Sequence, residues 1–521
     1  MAYSQDWLES PAARCILAVV TVFDLVANAD ISVYLSNAGY NTQDGQVVFN
    51  PIINASPQLD ESISLDGSLS LRFGDIELNN SNHEYDSWLD PSKYIWNNRP
   101  IKIYYGDPSW VSDILEDIDA NFSLILNGMV SGIDSSNSSV INIKIADKAA
   151  KLNTPVSEVI IGTYGTWAGG QTNKASLKPL VFGEAHNITP ILIDPATLEY
   201  LYSYDGNEQI TEIRDNGVPI HRYDGTINGA TINLTTGTFR LYRPLVGTCT
   251  VSVQGTKKSI DLTTGFSATS YINNIANIIT VIATQYGKVD SLLNSFELDL
   301  VNLRAFEVAN SQPIGIYITS KINKLELIQS ICASVGAQVY FTRAGKLQIL
   351  RIGDALASDT TISDADILNN TLNIVRRTEV KASTKLGYSK NWTVQEGLVT
   401  DIPEAHKELF GLEWLTTDVA TDSTVQSQYL LNIEPTEKNT YLIQKSSAQA
   451  EALRLNNFSK VPRNVYGMTC TTKMMSLQLG QYVYLESLSN KFGLANGKDT
   501  QVVSLSPNWS QGTVYVELIE V

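Results

Sequence analysis

The chain has 521 residues, a formal net charge of −17 and only 17% charged residues. At about 100 to 200 residues per domain that length excludes one compact core and predicts roughly three or four domains. The acidic balance excludes a protein that grips nucleic acid by neutralising phosphates, which takes clustered Lys and Arg.

Asn, Ser and Thr are plentiful and 24 tyrosines supply amphipathic side chains suited to strands and interfaces. Cys15, Cys249, Cys332 and Cys470 lie far apart without a C-x-x-C, a pattern that excludes a dense disulfide framework and a structural zinc site. They read as reduced, buried small hydrophobes.

Asp6 and Glu9 precede the apolar run Cys15 to Phe23, which has no basic flank and no clear cleavage site, so no secretory signal is expected. The run is shorter than the about 20 residues of a bilayer span, and its β-branched members Ile16, Val19, Val20, Thr21 and Val22 predict a buried strand. Residues 1–150 continue as short strands between turns, the pattern of a small barrel or sandwich. Ser62 to Phe73 alternates around a turn at Asp66-Gly67, and Pro100 to Tyr105, Phe122 to Leu126 and Val140 to Ile145 extend the series. From Ser81 to Trp96 neither period holds. Tyr85, Trp88, Tyr94 and Trp96 read there as anchors of a loop, with a surface for a neighbouring subunit as the alternative.

Over 151–265 the turns become denser. Asp205-Gly206, Asp215-Asn216-Gly217 and Asp224-Gly225 predict hairpins of an inserted β module, which closes with strand, turn and strand over Thr238 to Gln254. Tyr271 to Thr284 places Ile272, Ile275, Ile278, Ile279 and Ile282 on one stripe and predicts a helix with Ser270 as its cap. Asn323 and Glu326 have capping-box spacing ahead of a second stripe, Leu325, Ile328, Ile331, Cys332 and Val335, and Gly336 ends it. Gln338 to Thr342 and Leu347 to Ile352 then predict a hairpin turned at Gly345, so that 323–352 reads as one helix folded onto one hairpin. After about residue 375 strands return at Ala382 to Tyr388, Tyr482 to Leu485, Gln501 to Leu505 and Thr513 to Val521. A long alanine-rich helix over Thr440 to Asn456 interrupts them.

Several of these phrases are familiar in order. Ser-Val-Gly-Ala and Gln-Val-Tyr-Phe, a Gly turn and Lys-Leu-Gln-Ile-Leu-Arg-Ile lie within 323–352. Gly-Thr-Phe-Arg-Leu-Tyr-Arg-Pro-Leu-Val-Gly at 237–247, Tyr-Ser-Lys-Asn-Trp-Thr-Val-Gln at 388–395 and Leu-Gly-Gln-Tyr-Val-Tyr-Leu at 479–485 flank that stretch. Together they resemble the tail-tip, or baseplate, hub protein of long-tailed siphovirus-type bacteriophages.

The side chains that carry chemistry form no recognisable constellation. His83, His186, His221 and His406 lack H-E-x-x-H or related spacing and read as structural or surface residues. There is no G-x-S-x-G elbow and no cysteine in a protease context. Gly162 to Gly170 is glycine-rich but is not followed by the Gly-Lys-Ser or Gly-Lys-Thr of a phosphate cradle, and Trp167 reads as an aromatic pinning that loop, a sugar-stacking or subunit contact being the alternative. Asp113, Glu116, Asp117 and Asp119 are the densest acidic cluster; lacking an EF-hand's glycine and terminal glutamate, they read as a solvated face rather than a calcium or glycosidase site. No catalytic, cofactor-binding or metal-binding residue is therefore expected, and no enzyme activity.

The fold class expected is mainly β with α+β segments. Its expected domains are a first β-barrel hub domain at 1–150, an inserted β-rich domain at 151–265, an α+β hub domain at 266–375 and a second β-barrel hub domain with one long helix at 376–521. The resemblance implies a structural virion protein, assembled in the host cytoplasm, that forms a homotrimer closing the distal end of the tail tube. Two barrels per subunit would adapt sixfold to threefold symmetry around the channel for DNA ejection. The partners implied are the distal tail or tail tube protein, the tape-measure protein and a tail fibre or central spike protein. Genomic DNA would pass without specific binding, and no stable membrane insertion is expected. With no fibre-like extension before Val521, host recognition is expected to belong to another protein. The alternative reading is a receptor-binding or polysaccharide-degrading tail protein; a non-viral surface adhesin is disfavoured by the missing signal.

Overall fold

The computed structural model describes the chain except residues 1–6, 9, 11, 56, 64–68, 165–166, 169–172, 221–226, 355–356, 359, 397, 399–401, 403, 432–434 and 436; side chains at 69–70, 163–164, 167–168, 290 and 405–406 also lie outside the description. The Asp66-Gly67 and Asp224-Gly225 turns and His221 fall among these. The protein is mainly β, 41% strand and 20% helix, in several sheets, none of which closes into a barrel among the described residues.

The chain forms two compact units, each built from separated segments. Residues 1–150, 340–378 and 462–521 make the first, and 151–339 with 379–461 make the second. These units cut across the four expected segments, since 376–521 is divided between both. Long-range pairing accounts for this in the first unit, where Ser62 and Glu61 lie opposite Ser504 and Leu505.

In the first unit the run read as a buried strand, Cys15–Asp24, is central in a ten-stranded sheet, between Ala29–Ser36 and Pro100–Gly106. Ser123–Asn137 and Val140–Ala146 continue that sheet, which is an open path rather than a barrel. The second sheet runs through Tyr482–Leu485, Lys498–Asn508, Thr513–Glu520 and Asn464–Cys470. The expected 62–73 pair is a hairpin, Leu59–Ile63 with Leu69–Phe73, and it joins this second sheet rather than the first. One core spans both sheets, with Val20, Ile103, Ile143, Val483, Val502 and Val516 all buried. The aromatic stretch is a loop around a short turn at Asp86–Leu89, as expected, except that Tyr94–Ile95 pairs with the end of Cys15–Asp24. Tyr85, Trp88 and Trp96 pack as tilted rings with successive centroids 4.5 and 5.6 Å apart, and Trp96 donates to the Trp88 carbonyl.

The second unit holds a five-stranded sheet, Val218–Pro219, Asn207–Asp215, Cys249–Thr256, Leu180–Ile188 and Gly315–Ile318. A four-stranded sheet beside it in sequence stacks Tyr200 on Phe239 at 5.2 Å. The isoleucine stripe does form a helix, Ile275–Gln285, buried through nearly its whole length. It starts four residues later than expected because Asn274, not Ser270, accepts the amide of Asn277; Ser270 instead faces Ser259 at 2.9 Å.

Helix Lys324–Ala333 is capped by Asn323, whose side chain accepts the amides of Leu325 and Glu326, but Glu326 makes no return bond. Gly336 follows it at φ +61° and the hairpin Ala337–Phe341 with Leu347–Arg351 turns at Gly345. The division between the two compact units falls at 339/340, within the first strand of the hairpin, so the helix belongs to the second unit and the hairpin turn to the first. Leu325 is only half-buried, and Leu327 and Lys324 occupy interior positions. The long helix spans Lys445–Ser459 rather than 440–456. Thr440 Oγ1 already bonds the Gly387 carbonyl and Leu442 bridges Ile314, which holds 440–442 extended. Helix Leu300–Ala309, capped by Asp299, was not expected from the sequence.

Candidate functional site

The phrases that carry the family resemblance in the first unit meet in space. Tyr340, on the first strand of the hairpin, donates through Oη to Gln348 Oε1 at 2.7 Å and to the Leu479 carbonyl at 3.2 Å. Arg343, at the hairpin turn, donates to the Leu477 carbonyl. Gln501 Nε2 bridges the Arg351 and Gly480 carbonyls at 3.1 and 3.0 Å, and its Oε1 accepts the Gly353 amide. The hairpin turn also reaches the first sheet, where Asn127 donates its backbone amide to Arg343 O at 2.7 Å and its side chain to Ala344 O.

Two glycines permit this closeness. A Cβ at Gly345 (φ +72°) would stand 2.5 Å from Asn127 O, and one at Gly480 (φ +82°) would stand 2.1 Å from Leu350 Cδ1. Both positions need positive φ and bare backbone at once.

At the centre sits a buried ion pair. Arg343 Nε lies 3.5 Å from Glu61 Oε2, with the two side chains 13% and 3% exposed, and the guanidinium lies 5.9 Å from the Trp509 ring. Burial pushes the Glu61 carboxyl above its usual range, and Arg343 opposes that shift. The pair ties the hairpin turn to the Leu59–Ile63 strand. A buried pair of this kind positions segments more than it adds net stability.

The second unit shows the same use of charge. Lys324 is fully buried, and its Nζ donates to Tyr286 O, Ser291 O and Ser291 Oγ at 3.0 to 3.1 Å. Tyr286 is the C-cap of the Ile275–Gln285 helix, where a cation is favourable. Sequence reading missed Lys324 because a lysine inside an apolar stripe carries no local sign of its partners. Lys151 pairs with buried Glu297 at 2.9 Å, and Arg454 with buried Glu451 at 2.8 Å.

The residues weighed for chemistry are dispersed. Asp117 accepts the amides of Asp113 and Ile114 at 3.0 and 3.1 Å and so shapes its own turn. Asp119 accepts Tyr104 Oη at 2.6 Å and Lys102 Nζ at 3.0 Å; burial pushes its carboxyl up, but these bonds hold it below the usual range. Glu116 is exposed. His83 faces Asp86 at 3.4 Å and His186 faces Glu184 at 3.7 Å. Trp167 lies on a two-residue strand paired with Thr163–Tyr164, but its side chain, like that of His406, lies outside the described residues. Among the described residues no three His, Cys, Asp or Glu side chains gather as a metal site. All four cysteines are free and buried; burial pushes Cys15, Cys249 and Cys470 up to about 12, away from thiolate reactivity. No described helix is long and apolar enough to cross a membrane.

A shallow groove of about 410 Å³ lies between 39–51 and 108–112, lined by Tyr40, Asn41, Gln43, Pro108, Trp110 and neighbours. Tyr40 Oη closes its floor by donating to Trp110 O at 2.8 Å.

No protein-family model and no curated protein matches the chain. Among solved structures it is similar to a chain of the virion of a native gene transfer agent particle, at 12% identity and TM-score 0.44 over 66% of this chain and 84% of that one. It is also similar to the 43 kDa tail protein of prophage MuSo2 from Shewanella oneidensis, at 12% identity and TM-score 0.39 over 98% of each chain. A third is the tail protein from Neisseria meningitidis MC58, at 9% identity and TM-score 0.36 over 96% of each. These three come from phage or prophage tails and a virion. With identities and TM-scores this low, the likeness assigns neither family nor role.

Proposed function

We propose that the chain is a structural protein of a phage tail, the hub that closes the distal end of the tail tube as a homotrimer. The observation that supports this reading is the junction around Arg343. The phrases at 340–352 and 479–485 that resemble the tail hub family are held there to one another and to Asn127 by backbone-directed bonds. Residues used in this way build a rigid scaffold rather than a reactive site. The two sheets of the first unit would then serve as the pair of β modules by which three subunits meet a sixfold tube. An acidic chain of −17 suits a channel through which DNA passes without binding. In this reading the neighbours are the tube or distal tail protein, the tape-measure protein and a fibre or spike.

Immunolabelling of purified particles tests the location. Label at the tail end far from the head is the expected result, and label on the head or none on the particle contradicts it. Specific cleavage of envelope polysaccharide by the isolated chain, lost on Glu116→Gln or Asp117→Asn substitution, would replace the structural reading with an enzymatic one.

A further inference from the structure

The groove between 39–51 and 108–112 lies beside the outer edge of the ten-stranded sheet, whose last strand among the described residues is Tyr40–Asn41. An edge strand leaves backbone donors and acceptors open to an added chain. The two walls are tied at one end, where the Gln43 amide donates to Ser112 O at 3.0 Å and the Asp44 amide to Asp113 O at 3.1 Å. The lining is amphipathic. Val48 is 49% and Val111 57% exposed, Trp110 is half-buried, and the side chains of Asn41 and Gln43 make no bond among the described residues.

Negative charge gathers at the tied end. Residues 39–51 and 107–119 hold six carboxylates and no Lys, Arg or His. Lys102 meets Asp119, but Asp44, Asp113 and Glu116 are exposed and have no cation partner among the described residues. Asp44 and Asp113 directly follow Gln43 and Ser112, which line the groove, so the charge borders the apolar surface. The Thr42 hydroxyl and the Gln46 amide hold the Asp44 carboxyl below its usual range, and it is ionised at neutral pH.

We propose that this groove docks an extended, basic segment of another protein, with apolar side chains against Val48 and Val111 and Lys or Arg beside Asp44 and Asp113. The proposal stands apart from the hub reading. Charge complementarity selects a cationic occupant and disfavours nucleic acid, an anionic membrane and a second copy of this acidic chain. A neutral sugar would gain nothing from the carboxylates. The edge strand and the open amides of Asn41 and Gln43, which both donate and accept, match the alternating N–H and C=O groups of an extended backbone. At about 410 Å³ the groove is at the small end of ligand clefts, so it takes a short stretch of chain rather than a folded face.

Calorimetric titration of the full chain with an acetylated hexapeptide alternating lysine and valine tests this, with the glutamate-for-lysine peptide as comparison. The lysine peptide is expected to bind once per chain, the glutamate peptide not at all, and binding should weaken as salt rises from about 0.02 M to about 0.5 M. D44N/D113N should weaken it by about threefold or more, and V48S/V111S by a similar factor. Asparagine keeps an acceptor at position 44 for the turn. Should D44N/D113N change the circular dichroism spectrum, D113N alone takes its place, because no bond among the described residues uses the Asp113 side chain. E326Q/E396Q removes the same charge from exposed positions of the second unit and should change nothing. Lysine-peptide binding that is absent, matched by the glutamate peptide, or equal in every variant would overturn the proposal, the last result showing only diffuse attraction to an acidic chain. Calcium chloride that binds, is lost in D44N/D113N and finds no lysine-peptide counterpart would make this end a cation site and overturn the docking reading as well.

Discussion

The junction around Arg343 and the outer face of helix Leu300–Ala309 use side chains in opposite ways. At the junction a charge is buried and one hairpin is bonded to distant parts of the chain, at Glu61, Asn127, Leu477 and Gln501. At the helix, apolar groups are exposed and the acids nearby are bonded to local amides and side chains. A buried charge with fixed partners sets local geometry, whereas an exposed apolar stripe adds little to the stability of the fold. Substitutions at the two places should therefore differ in what they cost the fold.

The largest effect is expected inside the fold. Ile331 is fully buried, so Ile331→Asp should cost about 4 kcal/mol or more through the lost apolar side chain and a carboxyl without a partner, and it should block particle assembly. Urea unfolding followed by circular dichroism measures this. Wild-type stability in that variant would show that the helix register is wrong. Arg343→Met comes next, at about 3 kcal/mol, because it strands the buried Glu61 carboxylate and the Leu477 carbonyl.

Glu61→Gln sharpens the first half of the comparison through pH. Burial raises the Glu61 pKa in the folded state above its unfolded value of about 4.3, so the folded state holds the proton to higher pH. Stability from this residue therefore falls as pH rises through the window between the unfolded and folded values, and the cost is absent below that window. Glu61→Gln should remove this slope and stay within about 1 kcal/mol of the wild type at pH 7. Denaturation midpoints from pH 4 upward show it, and an unchanged slope would exclude Glu61 as its source.

The outer face should behave in the reverse manner. Val301→Asp should move stability by no more than about 0.5 kcal/mol, since the position is exposed. His186→Ala should be the mildest, altering neither stability nor particle yield, because this half-exposed residue has only a 3.7 Å contact with Glu184.

Much of the fold was legible in local periodicity. The Cys15–Asp24 strand, the Asn323 cap, Gly336 and the turn at Gly345 all depend on residues close in sequence. What was not legible depends on distant partners. Nothing near Ser62 announces its pairing with Ser504, which is why the hairpin was placed in the wrong sheet. Leu442 is held extended by Ile314, so the alanine-rich pattern begins before its helix does. Helix Leu300–Ala309 was missed for a different reason: valines on both sides of its stripe blur the period that marks an amphipathic helix. The same blurring identifies its outer face. The Arg343 junction was visible as a set of phrases, but their convergence on one pair of charges was not.

A reconstruction of the assembled particle tests the proposed trimeric hub most directly. Three copies of the chain around the tail axis at its distal end, with both sheets of the first unit facing the tube, is the arrangement predicted. Six copies, or only one of those sheets meeting the tube, would contradict it.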